Sequence, residues 1–209
     1  GLPDGGMAGY ERRVAGKNIV YFDLETQRSF GDVGGYANKD KMGISVAVTY
    51  STRRGTYEIY PENEMDRLGE ELIRADLVVG WNHMQFDYPV LQPYVFHTLS
   101  EQTINLEKLL GFRLKLDSVA SASLGMGKTA DGLDALKWWQ EHKKTGDFAP
   151  LRKIAEYCAY DVKVTKWDKV VDDVFGPDAI APTKRTAVMT FKDASGDIIT
   201  YTWTSQAFL

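Results

Sequence analysis

Short apolar runs, typical of strands, dominate the first eighty residues. Residues 18–23 form a β-branched and aromatic run that ends in an acid, which predicts a buried strand. Residues 42–50 and 56–60 predict two more strands joined by a Ser-Thr-Arg-Arg-Gly turn, and residues 76–80 predict a fourth. The glycine-rich segment 27–41 is expected to be a loop.

Helical spacing first occurs at residues 64–74 and dominates after residue 87. Apolar residues recur three and four positions apart in five further segments: 91–96, 106–110, 116–124, 133–142 and 151–174. Near the end, two alternating runs predict a hairpin with strands at residues 186–192 and 198–204. This order predicts an α/β fold, a mixed β-sheet flanked by helices, with a C-terminal β-hairpin extension.

Composition divides the 209 residues into three predicted parts. Residues 1–8 are glycine-rich and polar and predict a flexible tail, residues 9–176 form the main domain, and residues 177–209 form the extension. A two-stranded ribbon is marginally stable alone, so we expect it to pack on the domain or on a second copy. The second case would give a homodimer through the C-terminal hairpin.

Charge and apolar content restrict the possible functions only loosely. The net charge of −4 argues against a large surface that coats DNA, but it does not exclude a nuclease, because bound cations reverse local negative charge. No apolar run reaches the roughly 18 residues that span a bilayer, and no secretory pattern opens the sequence. We therefore expect a cytoplasmic protein with no membrane partner. The single cysteine, Cys158, fits a reducing compartment.

Three acidic motifs carry the candidate chemistry, and each also has an ordinary explanation. Asp23 and Glu25 end the first predicted strand and point to one side of it. A divalent cation would relieve the repulsion between the two carboxylates, but two acids facing solvent would fit the pattern as well. Asp87 follows the fourth predicted strand, where it could simply cap a helix. Tyr157 and Asp161 share a face of the long helix, where a solvated acid is the alternative.

In their order and settings these motifs resemble the tyrosine branch of the DEDD exonuclease superfamily, which has the ribonuclease-H-like fold. The resemblance is closest to proofreading domains of family B polymerases and to stand-alone nucleases found beside helicases, and it covers residues 18–174. The histidine branch has a His four or five residues before the last Asp, where this chain has Tyr157 and Glu156. The three histidines are too scattered to suggest zinc.

The resemblance implies a 3′–5′ exonuclease that releases nucleoside 5′-monophosphates from single-stranded DNA or RNA, and it makes a helicase or a polymerase a candidate partner. It also implies two Mg²⁺ or Mn²⁺ ions about 4 Å apart. Asp23 would bridge both ions, Glu25 and Asp161 would complete the ion that activates water, and Asp87 would hold the other. Tyr157 would hydrogen-bond the attacking water or a phosphate oxygen.

Six further residues are predicted to contact the substrate. They surround the acidic motifs or carry a charge suited to phosphate: Leu24, Thr26, Trp81, Asn82, Phe86 and Lys128. Lys128 lies in Gly-Met-Gly-Lys-Thr, which resembles the end of a phosphate-binding loop. Ala122 stands where the full ATP-binding pattern needs glycine, so Lys128 is kept only as a phosphate contact.

Two alternatives remain open at this point. One is a catalytically inert ribonuclease-H-like module that binds nucleic acid or a helicase. The other keeps the same acids but cuts internally or acts on structured RNA. The sequence does not distinguish DNA from RNA, because contacts to a 2′-OH come from few and unpredictable groups.

Overall fold

The computed structural model describes residues 16–96, 103–105, 130–167, 186–192 and 198–204. Several sequence predictions lie outside these ranges, namely the tail at residues 1–8, the helices at residues 106–110 and 116–124, and Lys128.

Seven strands form one mixed sheet within the described residues, in the order β5-β4-β1-β2-β3-β6-β7. The strands are β1 Ile19–Thr26, β2 Ile44–Ser51, β3 Thr56–Pro61, β4 Leu77–Gly80, β5 Thr103–Asn105, β6 Thr186–Lys192 and β7 Ile198–Thr204. Strands β1, β2 and β3 pair antiparallel, whereas β4 is parallel to β1 and to β5. The predicted α/β fold with a mixed sheet is confirmed; the short strand β5 was not predicted.

Five α-helices accompany the sheet in the described residues: α1 Phe30–Val33, α2 Met65–Arg74, α3 Asp87–Leu91, α4 Gly132–Thr145 and α5 Phe148–Trp167. Three 3₁₀ turns lie at Tyr36–Lys41, Glu62–Glu64 and Gln92–Tyr94.

Two local predictions were wrong. The segment 27–41 is not a plain loop, because Ser29 and Asp32 form a capping box that begins α1. The helix predicted at residues 91–96 begins earlier, at Asp87, and becomes 3₁₀ after Leu91. Pro93 has no N–H to donate to the carbonyl four residues back, so the α-helix cannot continue through it.

Residues of β1 alternate between two cores. Ile19 and Tyr21 face α4 and α5, in a cluster that includes Trp139 and Ile154. Val20, Phe22 and Leu24 face the other side, in a cluster with residues of α2 and α3. Since side chains two apart on a strand share a face, Asp23 and Glu25 continue the α5 face.

The C-terminal hairpin extends the sheet of the domain. Strand β6 pairs in parallel with β3, at Tyr57↔Ala187 and Ile59↔Met189, and β7 pairs antiparallel with β6. Both strands have the predicted bounds. The boundaries of the three predicted parts and the homodimer stay predictions. No helix within the described ranges combines the length and apolar character needed to cross a membrane.

Candidate metal and active site

The site forms where β1 extends beyond its neighbour β4. Along one edge of β1, β4 pairs only with Ile19 through Tyr21. Along the other edge, β2 pairs with β1 as far as Thr26, the last residue of β1. Within the described residues, the remaining edge of β1 therefore has no strand beside it. The backbone N–H of Leu24 on this edge instead hydrogen-bonds the carboxylate of Asp87.

A tight turn between β4 and α3 places Asp87 there. Asn82 adopts a positive φ of 57°, a conformation that Asn tolerates, and its carbonyl accepts the N–H of Phe86 at 3.1 Å. The carbonyl of His83 then accepts the N–H of Tyr88 at 2.8 Å, which fixes the start of α3. Asp87 is consequently the first residue of the helix and is buried.

Burial makes negative charge on Asp87 costly. The pKa of Asp87 is raised to about 7, mainly by burial, and the nearby carboxylate of Asp161 raises it further. The backbone N–H groups of Asp87 and Leu24 oppose this rise. Oδ1 of Asp87 has no hydrogen-bond partner within the described ranges. A bound cation would satisfy this oxygen and stabilise the charged form.

Cys158 on α5 lies against the acidic residues of β1. Its thiol donates to the backbone oxygen of Asp23 at 3.3 Å, and Sγ lies 3.7 Å from Oδ2 of the same residue. The pKa of this thiol is raised well above its ordinary value, first by burial and then by Asp23, Glu25, Asp161 and Asp87. All four carboxylates therefore lie near enough to this thiol to disfavour its ionisation, and Asp23 and Glu25 lie closest to it.

Helix α5 contributes Asp161 and Tyr157 to this side of the sheet. The side chains are nearly buried, with exposed fractions of 6% for Asp161 and 9% for Tyr157. Tyr157 lies one helical turn before Asp161, so the two residues share a face. The structure thus brings together the four acids predicted to bind metal and places the predicted tyrosine beside one of them in the helix.

The cluster fits a divalent cation. Sγ of Cys158 and one carboxylate oxygen each from Asp23 and Glu25 lie within 4.8 Å of one another. Asp87 adds the unpartnered buried oxygen described above, and four carboxylates supply the oxygen ligands that hard ions such as Mg²⁺ or Mn²⁺ prefer.

The residues predicted to contact the substrate differ in how they lie relative to the acidic cluster. The side chain of Leu24 lies in the core on the opposite face, so only its backbone faces the site. Thr26 donates its hydroxyl to the carbonyl of Arg28 at 3.0 Å, and Trp81 packs against the core. Asn82 supports the turn before α3.

Phe86 belongs to an aromatic cluster that the sequence analysis missed. The ring of Phe30 lies 5.8 Å from that of Phe86 and 5.3 Å from that of Tyr36. Nζ of Lys39 lies 3.6 Å from the centre of the Tyr36 ring and donates to the carbonyl of Gln85 at 2.7 Å. Phe30 and Tyr36 are 38% and 49% exposed, so they present a partly open apolar surface next to the residue that precedes Asp87.

A cavity of about 300 Å³ lies elsewhere, near the beginning of β1. Its arginines are neutralised by neighbouring acids: Arg54 pairs with Glu58 and Glu71, and Arg67 pairs with Glu58 and Glu64. This charge pairing is typical of a structural network, so we assign the chemistry to the acidic cluster and not to this cavity.

The fold and the cluster define an α/β protein with a candidate divalent-metal site at the end of β1, an interior strand of the sheet. A family model of the RNase H superfamily matches residues 20–167, more than two thirds of the chain, and the chain belongs to this superfamily. A search of curated proteins found no match. Membership of the superfamily indicates a metal-dependent, nuclease-type activity.

Proposed function

We propose that this protein is a metal-dependent 3′–5′ exonuclease that hydrolyses single-stranded nucleic acid from its 3′ end and releases nucleoside 5′-monophosphates. One observation carries the proposal: carboxylate oxygens of Asp23 and Glu25 lie within 4.8 Å of each other and of Sγ of Cys158, on the side of the sheet where α5 carries the buried Asp161 and Asp87 hydrogen-bonds the N–H of Leu24. A protein whose acids had only a solvated or capping role would not need to bury Asp87 and Asp161 beside each other.

The four acids would hold Mg²⁺ or Mn²⁺. When bound, the ions supply a water made nucleophilic at neutral pH and charge stabilisation at the leaving oxygen. Asp23 would take the central position, since its Oδ2 lies 3.7 Å from Sγ of Cys158 on α5 and the next residue, Leu24, donates its N–H to Asp87. In this proposal the hydroxyl of Tyr157 orients the attacking water or a phosphate oxygen.

Binding of an unpaired strand is supported by the aromatic cluster of Phe30, Tyr36 and Phe86. Every base has a flat apolar face, so exposed rings bind single strands with little dependence on sequence. Phe86 directly precedes Asp87, which brings the cluster to the edge of the acidic site. Lys39 adds a positive charge beside the exposed ring of Tyr36.

The test is digestion of single-stranded oligonucleotides by wild type, Asp23→Ala and Asp161→Ala in Mg²⁺ or Mn²⁺. With a 5′ label, an exonuclease that starts at the 3′ end gives a ladder of shortened products. With a 3′ label, the same enzyme releases labelled mononucleotide first. Both substitutions should abolish digestion, whereas Glu156→Gln, a control on α5 outside the acidic cluster, should retain it. Wild-type-like digestion by both alanine variants would contradict the assignment.

Additional substrates separate the alternatives. An internal cutter would linearise circular single-stranded DNA, which a 3′–5′ exonuclease leaves intact. An inert nucleic-acid- or helicase-binding module would digest nothing and would gain little thermal stability from Mn²⁺. Matched DNA and RNA strands digested side by side identify the sugar that the enzyme accepts.

A further inference from the structure

The acidic cluster contains one ligand that a purely oxygen-based metal site does not need. Cys158 lies in the described part of α5 with its side chain fully buried, and its sulfur points at Asp23. Thiolates bind Zn²⁺ and related soft ions far better than they bind Mg²⁺. The position of this sulfur therefore affects which ions the site accepts.

The spacing of the ligand atoms suits a single soft ion. Zinc with sulfur at about 2.3 Å and oxygen at about 2.1 Å in tetrahedral geometry holds these two atoms about 3.6 Å apart. Sγ of Cys158 lies 3.7 Å from Oδ2 of Asp23. A carboxylate oxygen of Glu25 lies within 4.8 Å of Sγ of Cys158 and of a carboxylate oxygen of Asp23, so a small side-chain movement would bring it into contact with the same ion.

An independent observation also points to a bound cation. Oδ1 of Asp87 is buried without a hydrogen-bond partner in the part of the chain that the structure describes. Asp87 is only 2% exposed and its carboxylate acts on the Cys158 thiol. The sulfur thus lies near several acidic side chains, and their negative charge favours a divalent ion placed there.

We propose that Cys158, Asp23 and Glu25 form a binding site for a thiophilic divalent ion such as Zn²⁺ or Cd²⁺, and that this binding inhibits the enzyme. As the metal–sulfur bond forms, the thiol proton leaves to solvent. Asp23 would then be engaged by the soft ion and would not be available to the ions that support hydrolysis. The inhibitory part of the proposal rests on the proposed function, whereas the binding part does not.

Binding is tested with Cd²⁺, because cadmium bound to a thiolate gives an ultraviolet charge-transfer band. Since Cys158 is the only cysteine, any such band reports this residue. The full chain should develop the band and saturate at one Cd²⁺ per molecule. Cys158→Ser should abolish it, and Glu25→Gln should weaken Cd²⁺ binding by at least about tenfold, a typical loss for even an outer-shell partner of a metal.

A second measurement separates soft from hard ions. Mn²⁺ binding, followed by the loss of its free paramagnetic signal, should change much less in Cys158→Ser than Cd²⁺ binding does. Glu156→Gln should keep both the band and the Mn²⁺ affinity. Thermal unfolding without metal checks that each variant is folded, and Cys158→Ala replaces Cys158→Ser if serine is not tolerated in the core.

Two results would overturn the proposal. Displacement of Mn²⁺ by Cd²⁺ without a charge-transfer band would mean that only oxygen atoms bind the soft ion. A band that is unchanged in Asp23→Asn and Glu25→Gln would mean that the thiol binds metal without these acids. Neither result depends on hydrolysis, so an active nuclease that gives no band would exclude this inference alone. A chain that gives the band but does not digest nucleic acid would contradict the proposed function alone.

Discussion

Gly80 at the end of β4 lies against the ring of His83 with no room for a side chain. A Cβ atom at this position would lie 2.6 Å from Cγ and 2.7 Å from Nδ1 of His83. The ring of His83 is fully buried and packs edge-on against Phe22 and Tyr88. Because the His83 carbonyl also accepts the N–H of Tyr88, the residue after Asp87, this contact helps to position Asp87, the acid proposed to bind metal.

Gly80→Ala should therefore lower both stability and nuclease activity. The methyl group must displace the His83 ring from its pocket, and overpacking of this kind costs about 1 to 3 kcal/mol in the free energy of unfolding. Any movement of His83 shifts the turn that holds Asp87. Urea unfolding and the rate of digestion measure the two effects.

Gly132→Ala is the matched control for this substitution. Among the residues that the structure describes, apart from the adjacent backbone, none has an atom within 4 Å of a Cβ built at Gly132, and Gly132 begins α4. Alanine there should be neutral or should stabilise by up to about 1 kcal/mol, because it restricts the unfolded chain and favours helix. Equal destabilisation by both substitutions would show that the contact with His83 is not the cause.

Asp87→Asn should stabilise the metal-free protein above pH 7 and have little effect near pH 4. The pKa of Asp87 is about 7 in the fold against an ordinary value of 3.8, so between these values the folded state holds a proton that the unfolded chain has lost. The contribution of this carboxyl to stability therefore falls as pH rises through this range, by at most about 1.4 kcal/mol per pH unit. Asparagine does not ionise, so the variant does not lose this stability as pH rises.

The measurement is the difference in unfolding free energy between Asp87→Asn and wild type from pH 4 to pH 8. His83 acts in the opposite direction, since burial lowers its pKa from 6.5 to about 4 and stability is lost as pH falls through that range. Both proteins contain His83, so its effect cancels in the difference. A difference that does not vary with pH would contradict the prediction. Asp66→Asn, at an exposed position on α2, controls for removal of a charge.

The sequence predicts much of the site because each acid obeys a simple periodicity. Alternation along β1 places Asp23 and Glu25 on one face, and helical spacing aligns Tyr157 with Asp161. The contact of Cys158 with Asp23 was not predicted, although Cys158 lies three residues before Asp161 and shares its face of the helix. To identify it, one must know which face of α5 meets β1, and that depends on packing between segments far apart in the chain.

Other features lie in segments that are too short to give a periodic signal. Strand β5 has three residues, fewer than a pattern needs. The aromatic cluster depends on a short helix capped by Ser29 and Asp32 inside a glycine-rich segment, and on a 3₁₀ turn that carries Tyr36. The close approach of Gly80 to His83 arises from the fold of the turn and not from residue type.

Tyr157→Phe tests the proposed orienting hydroxyl. The ring belongs to the core cluster on the α5 face, and phenylalanine keeps it, so the unfolding midpoint should stay close to that of wild type. Loss of one positioned hydrogen-bond donor should lower kcat on the order of a hundredfold with little change in KM.

Tyr160→Phe is the matched control, because Tyr160 is a half-buried tyrosine three residues later in α5. It should keep both kcat and stability. If Tyr157→Phe also keeps kcat, the hydroxyl has no part in hydrolysis, and the proposed membership of the tyrosine branch loses its mechanistic basis.

Replacement of Phe30 or Tyr36 by alanine should weaken the binding of single strands without disturbing the acids. Stacking of one base on an aromatic ring contributes about 1 to 3 kcal/mol, which predicts an increase in KM of about 5- to 150-fold. Phe148→Ala is the control, because Phe148 is 42% exposed and so resembles Phe30, which is 38% exposed. Phe148 lies nine residues before Tyr157, which is about 14 Å along α5. Its removal should leave KM unchanged. Equal increases in KM for Phe30→Ala and Phe148→Ala would show that exposed phenylalanines contribute by general surface effects, and the aromatic cluster beside Asp87 would have no special part in holding the strand.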